Sequence, residues 1–333
     1  MSVHVTEPPI RSDEARIQAV SRRTTSDRVY RAVVRASGAL TLGLMVLIGL
    51  FLTIRAWDAL RVAGFSFFTT SAWQPELGRI GVFAALVGTV LIAVIALAIA
   101  VPVSICTALF VTEYAPARLR RPLTSFVDVL AAVPSLIYGL WGKAFLQPKA
   151  IPFSKWLGTH LGFIPFFQTN EPHEAASYPA STFIAALVVA LMIVPICTAV
   201  MREVFSQAPP GEKEGALALG GTKWSVIRTV VLPFGKGGII GGSMLGLGRA
   251  LGETIAVTLI ISPLFDPAKL THVLQLGGNS IASLIALRFN ESSDFGISAL
   301  MAAGLTLFVI TLIVNAFAGV IVARSRSGAA TEI

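Results

Sequence analysis

Residues 237–262 read GGIIGGSMLGLGRALGETIAVTLIIS, and they place the chain in a membrane. The run is 26 residues long, enough for a helix rising about 1.5 Å per residue to cross a hydrocarbon core of about 30 Å. Arg249 and Glu253 interrupt its apolar character. A charge at the centre of an inserted helix costs about 2.5–3.5 kcal/mol, so each needs a partner or a polar path. The i, i+4 spacing puts the two on one helical face, where they can pair. Gly238, Gly242, Gly246 and Ala250 recur every four residues, a stripe of small side chains along which a second helix can approach closely. Two readings stay open on these residues alone. The pair either holds helices together, or lines a polar pathway for an anion.

Composition agrees with the membrane reading. The 333 residues are 54% hydrophobic and 13% charged, with a mean hydropathy of +0.76, whereas a soluble domain carries about 25% charged residues. The net charge of +8 does not signal nucleic-acid binding, because no soluble domain clusters the Lys and Arg residues on one face. Cys106 and Cys197 lie inside apolar runs, where packing is their expected role, and two cysteines imply no disulfide framework. His4, His160, His173 and His272 sit in the tail and loops without metal-ligand spacing, so neither metal nor cofactor is expected.

The pattern predicts an all-α membrane protein with six spans, at 36–54, 82–111, 123–146, 180–201, 237–262 and 297–322. Residues 1–35 are polar, hold seven arginines and read as an N-terminal tail rather than a secretory signal. The transmembrane domain covers 36–323 and a short tail 324–333 follows. Pro102 either kinks the second span or lets it run past the bilayer on the side of Glu113. In the third span Pro134 bends the helix, and Asp128 and Lys143, near opposite ends, reach for the interfaces. With the N-terminus inside, inner segments hold 17 Lys and Arg residues and outer loops seven, which predicts cytoplasmic termini. The outer loop 147–179 is rich in Pro and aromatics, among them Trp156, Phe163, Phe166 and Phe167. It reads as a packed lid or as a docking surface for an extracytoplasmic partner. No internal repeat appears, which counts against a transporter built of inverted halves.

The cytoplasmic segment 202–236 carries a different signal. Pro209 and Pro210 precede a helix-prone run over 211–219, Gly220 and Gly221 break it, and Thr222 can cap a second helix that Pro233 limits. Trp224, Ile227 and Val230 or Val231 form an apolar stripe on that second helix. The result is a compact knob, or else an amphipathic hairpin lying on the membrane surface.

At these residues the chain resembles the permeases of ABC importers. Their cytoplasmic signature, E-A-A, three residues, G, nine residues, I, one residue, L-P, maps onto Glu214, Gly215, Ala216, Gly220, Val230, Leu232 and Pro233. The spacing is complete, while Gly215 and Val230 depart from the usual Ala and Ile. The segments AAVPSLIYGLWG at 131–142, HLGFIPFFQ at 160–168 and IIGGSMLGLGRALGETIAV at 239–257 are similar to the phosphate-importer permease subunits of the PstC type. That resemblance implies the type I importer permease (MetI-like) fold and a coupling-helix loop docking on a separate ATPase. It also implies a bacterial inner-membrane location, a PstA-type permease partner, two ATP-binding subunits and an extracytoplasmic phosphate-binding protein. Arg249 and Glu253 match the charged pair associated with that family's translocation path.

The residues suit the implied substrate. A guanidinium is planar and permanently charged, the shape best suited to meet phosphate oxygens, and a carboxylate one turn away would keep it compensated when no anion is present. The chain lacks an ATP site of its own. The Gly-Lys pairs at 142–143 and 235–236 lack the phosphate-loop spacing, and the G-x-G at 246–248 meets Leu251 where a dinucleotide fingerprint needs Gly or Ala. An intramembrane enzyme is disfavoured because no His lies in any span, and a passive anion channel would not need a docking knob. A permease for sulfate, molybdate or phosphonate stays open, since Arg meets any oxyanion.

Overall fold

The computed structural model describes residues 25–263, 265 and 272–325. The remainder of the two tails, with the outer Lys269 and the inner Arg326 used in the orientation argument, lies outside the described residues. Contacts divide the chain after Leu50 into two compact units. The first contains the opening part of helix α1 (Thr25–Ala63), so residues 25–35 are helical rather than irregular tail. Its apolar side chains, Leu42, Val46 and Leu47 among them, are exposed, as suits a helix whose solvent is lipid.

The second unit holds the other helices. α2 (Phe83–Leu109) passes Pro102 without a break and continues through a π turn, Phe110–Tyr114, that carries Glu113. The helical run therefore reaches Tyr114, three residues past the end expected for this span. α6 (Thr182–Ser206) starts at Ser181, whose hydroxyl accepts the Ile184 N–H at 3.4 Å. α12 (Asp294–Ser325) closes the fold; its Ser298 hydroxyl donates to the Arg55 carbonyl at 2.8 Å and pins the end of α1. Among the described residues five helices are long and apolar enough to cross a membrane, or six when one bent pair counts as a single span.

That bent pair is the predicted third span. α3 (Ala117–Ala132) ends where Val133 turns extended, with φ −65° and ψ 129°. Pro134 imposes this, because its ring excludes helical geometry from the residue before it. Helix then resumes as α4 (Ser135–Trp141), a π turn (Gly142–Leu146) and α5 (Gln147–Leu161), at 90° to α3. The bend expected at Pro134 within the span 123–146 is present, and it is sharp enough to divide the span into two helices. The loop expected from residue 147 is helical as far as Leu161.

Proline also explains the two π turns inside helical runs, Gly142–Leu146 and Ile227–Val231. Each lies just before a proline, Pro148 and Pro233. A proline ring collides with the carbonyl four residues back and donates no N–H, and a widened turn relieves both. Pro233 consequently does not limit the helix before it. α8 (Lys223–Val226), the π turn and α9 (Leu232–Gly252) form one helical run of 30 residues.

The small-residue stripe on α9 is buried as expected. A methyl placed on Gly238 would lie 2.6 Å from Val204 Cβ, and one on Gly246 would lie 2.6 Å from Cys197 Sγ, both partners being on α6. Lipid tails are as apolar as Leu, so helices in a bilayer gain little by hiding from their solvent and rely on close packing. The Cys197 thiol donates to the Gly242 carbonyl at 3.2 Å across the same seam. Cys106, by contrast, is exposed, so packing within this chain is not its role.

Gly238→Leu should therefore separate α9 from α6, at a cost of about 1–3 kcal/mol or more. Gly241 has nothing within 4 Å of an added Cβ, so Gly241→Leu should be tolerated. Thermal unfolding of the two detergent-purified variants makes the comparison, and equal melting points would refute the seam.

Candidate translocation and coupling sites

The coupling segment starts with α7 (Pro210–Ala218). Its end is a Schellman motif: the Gly220 N–H donates to the Leu217 carbonyl at 2.9 Å, and the Gly221 N–H to that of Ala216 at 3.1 Å. Gly220 has φ +81°, a left-handed conformation that L side chains resist. The tight turn expected there is present, but crowding is not its cause. An added Cβ on Gly220 meets nothing within 4 Å. The Thr222 hydroxyl then accepts the Ser225 N–H at 3.3 Å and caps the second helix, as its position predicts.

The seven signature residues separate into two groups. Glu214, Gly215, Gly220 and Pro233 are exposed. Val230 is buried, and Ala216 and Leu232 are half-buried, packed on the cluster formed by Met201, Phe205, Ile227 and Val231. The predicted stripe on the second helix divides likewise, with Ile227, Val230 and Val231 inside and Trp224 59% exposed. Leu217 and Leu219, the latter 92% exposed, are apolar side chains of the same segment that also face outward. Ala216, Val230 and Leu232 thus anchor the knob, and Glu214, Gly215, Gly220 and Pro233 face outward.

Two ion pairs fasten this region, and sequence patterning gave no sign of either. Lys213 Nζ on α7 lies 2.7 Å from Glu113 Oε1 in the π turn that ends α2. Arg202 Nη2 on α6 lies 3.3 Å from Asp128 Oδ1 on α3. The partners are 100 and 74 residues apart, beyond the reach of any helical periodicity. Asp128 thus has a partner and does not merely reach for an interface.

Further along α9, the structure departs from the predicted span of 237–262. The helix stops at Gly252, Glu253 turns extended at φ −69° and ψ 121°, and helix resumes as α10 (Ile255–Ile260). Glu253 is 7% exposed, and its Oε1 accepts the Ala256 N–H at 3.1 Å. It therefore satisfies a backbone donor at the start of the second segment, as caps do at helix N-termini. This overturns the expected pairing: among the described residues no ion pair joins Arg249 to Glu253. The i, i+4 relation holds only inside a continuous helix, and the break removes it. Arg249 is exposed on this chain. It lies in the last turn of α9, about 18 Å along the helix axis from Gly237. Its neighbour Gly248 lies against the last helix, 3.7 Å from Asn315 Oδ1 when a Cβ is added. Asn315 is a polar residue in the final span that hydropathy averaging conceals.

On the opposite end, the aromatics of 147–179 also divide. Phe166 and Phe167 pack against the central core, whereas Trp156 and Phe163 are exposed, Trp156 stacking on His160 with ring centroids 4.9 Å apart. The Tyr178 hydroxyl donates to the Pro172 carbonyl at 2.7 Å and closes the loop onto itself. Some of these aromatics are thus packed into the fold and others face outward.

Residues 100–327 match the family described as binding-protein-dependent transport system inner membrane component. The chain is 41% identical over 306 residues to the phosphate transport system permease protein PstC 2 of Mycobacterium tuberculosis, covering 91% of this chain and 93% of that one. It is 42% identical over 281 residues to the phosphate transport system permease protein PstC of Pasteurella multocida, covering 82% and 84%. Among solved structures, a bacterial ABC transporter involved in the import of the acidic polysaccharide alginate superposes with a TM-score of 0.54 at 17% identity, covering 89% of this chain and 99% of that chain. The match extends over the coupling segment, the glycine seam and the broken helix alike. The chain belongs to the binding-protein-dependent transport inner membrane components and, among them, to the PstC family of phosphate transport permeases.

Proposed function

We propose that this protein is a membrane-spanning permease subunit of an ATP-driven inorganic phosphate importer, with Arg249 as a transient contact for the anion. The observation that carries the reading is Arg249 itself, an exposed guanidinium in the last turn of a 30-residue apolar helical run, which forms no ion pair among the described residues. Facing lipid it would cost about 2.5–3.5 kcal/mol. Facing a polar path shared with a second permease subunit, it is paired by the substrate when substrate passes. Glu253 keeps its place in the site through a different role from the one first expected. It holds the break between α9 and α10 open by capping and keeps a negative charge near the path, which limits how tightly an anion is held.

ATP is hydrolysed by a partner in this reading. The outward face of Leu217, Leu219 and Trp224, beside Glu214 and Gly215, supports docking on an ATPase subunit. The continuous helix from Lys223 to Gly252 joins that face to Arg249, so a tilt at one end reaches the other. A PstA-type permease, two ATP-binding subunits and an extracytoplasmic phosphate-binding protein complete the assembly. The excess of Lys and Arg on the coupling side supports cytoplasmic termini. Lipid is the remaining partner.

Four outcomes are expected. Arg249→Gln should abolish phosphate uptake in membrane vesicles while the complex still copurifies, because Gln keeps donors and loses the charge; uptake within twofold of the parent chain, about 0.4 kcal/mol, would remove Arg249 from the path. In a Cys106→Ala, Cys197→Ala background, a cysteine at Phe163 should react with an impermeant maleimide added outside intact cells, and one at Gly215 should not. The reverse pattern would invert the topology. Gly215→Ala should stabilise α7 by about 0.5–1 kcal/mol, since its Cβ meets nothing within 4 Å, and leave coupled transport intact. Gly220→Val should impose about 1–2 kcal/mol of left-handed strain and lower the uptake achieved per ATP hydrolysed, which paired ATPase and transport assays will read.

A further inference from the structure

Where the helices meet the coupling segment, a cavity of 280 Å³ opens between the π turn that ends α2, the first half of α3, the last turns of α6, and α7. Three cations line it, Arg120, Arg202 and Lys213, against one carboxylate, Glu113, with the Thr124 hydroxyl beside them. Lys213 and Glu113 neutralise each other. Arg202 is engaged on one side only: Nη2 meets Asp128, while Nη1 is buried with no hydrogen-bond partner. Arg120 uses Nε on the Ala115 carbonyl at 3.1 Å and forms no ion pair among the described residues. With Asp128 counted, the cluster of three cations and two carboxylates keeps one surplus positive charge.

A buried guanidinium nitrogen without an acceptor is rare in a native protein and points to a missing water or ion. A water would satisfy that nitrogen but would leave the surplus charge. A tetrahedral oxyanion answers both, because its oxygens can accept from Arg202 Nη1, from the free end of Arg120 and from Thr124 together. We propose that this cavity binds a phosphate-class oxyanion, separate from the translocation path, supplied either as free inorganic phosphate or as the phosphate of an anionic lipid headgroup. The occupant would bridge α3 and α6 to the Lys213–Glu113 pair that tethers α7, and so stiffen the coupling segment. The site depends on this geometry alone and goes beyond the import reading.

The test follows hydrogen exchange of residues 110–124 and 202–215 in the full chain with its copurified partner subunits, held in lipid nanodiscs. If free phosphate is the ligand, exchange in neutral phosphatidylcholine discs should slow about threefold or more on adding inorganic phosphate, relative to chloride at equal ionic strength. If a headgroup is the ligand, the same protection should appear without added phosphate once the discs contain phosphatidylglycerol. Either protection should disappear in Arg120→Gln or Thr124→Val and persist in Arg249→Gln. The last variant separates this site from the translocation path, whose own test is uptake. No protection in either disc overturns the proposal. So does protection equalled by chloride, protection that survives both cavity variants, or protection lost in Arg249→Gln.

Discussion

The close contact of α9 with α6 is the constraint on which the other features depend. Gly238, Gly242 and Gly246 present bare backbone to Val204, Cys197 and Met201, and Gly235 does the same to the ring of Phe205. Each glycine costs about 1 kcal/mol of helix propensity relative to Ala. In lipid no difference in solvent drives two apolar helices together, so van der Waals contact at short range has to offset that cost. Because the seam runs the length of α9, the helix is held as one body. The knob at one end and Arg249 near the other are therefore parts of a single lever.

Proline and glycine divide the work of shaping that lever. Pro233 sits inside a helix it would ordinarily interrupt, and the π turn before it keeps the run intact. Pro134, with no such turn before it, forces Val133 extended and bends the chain by 90°. Gly220 ends α7 by adopting a φ that other residues avoid. The same residue type thus breaks the helix at Pro134 and is carried within a helical run at Pro102, Pro195 and Pro233.

Charges in the interior follow the rule that each needs an answering group, and the answers come from unexpected quarters. Glu253 is answered by a backbone N–H rather than by Arg249. Asp128 and Glu113 are answered by Arg202 and Lys213, contributed by α6 and the coupling segment. Arg249 forms no ion pair among the described residues, and Arg202 Nη1 has no hydrogen-bond partner. Groups of this kind are the ones that the assembly proposed above would answer.

Much of this was legible from residues alone. Hydropathy located the membrane helices, since 18 or more consecutive apolar residues have few other uses. The four-residue glycine repeat announced the seam, the spacing from Glu214 to Pro233 announced the signature segment, and its residue types announced the break at Gly220 and the cap at Thr222. These are local patterns, fixed by covalent geometry within a few turns of helix. Tertiary structure alone decided where a continuous apolar run stops being a continuous helix, as at Glu253, because the cost of an interrupted backbone depends on which group caps it. It alone decided that α5 is helix where Pro and aromatic content suggested loop. It also chose the ion-pair partners across 74 and 100 residues, since a Coulomb contact depends on distance in space and carries no period along the chain.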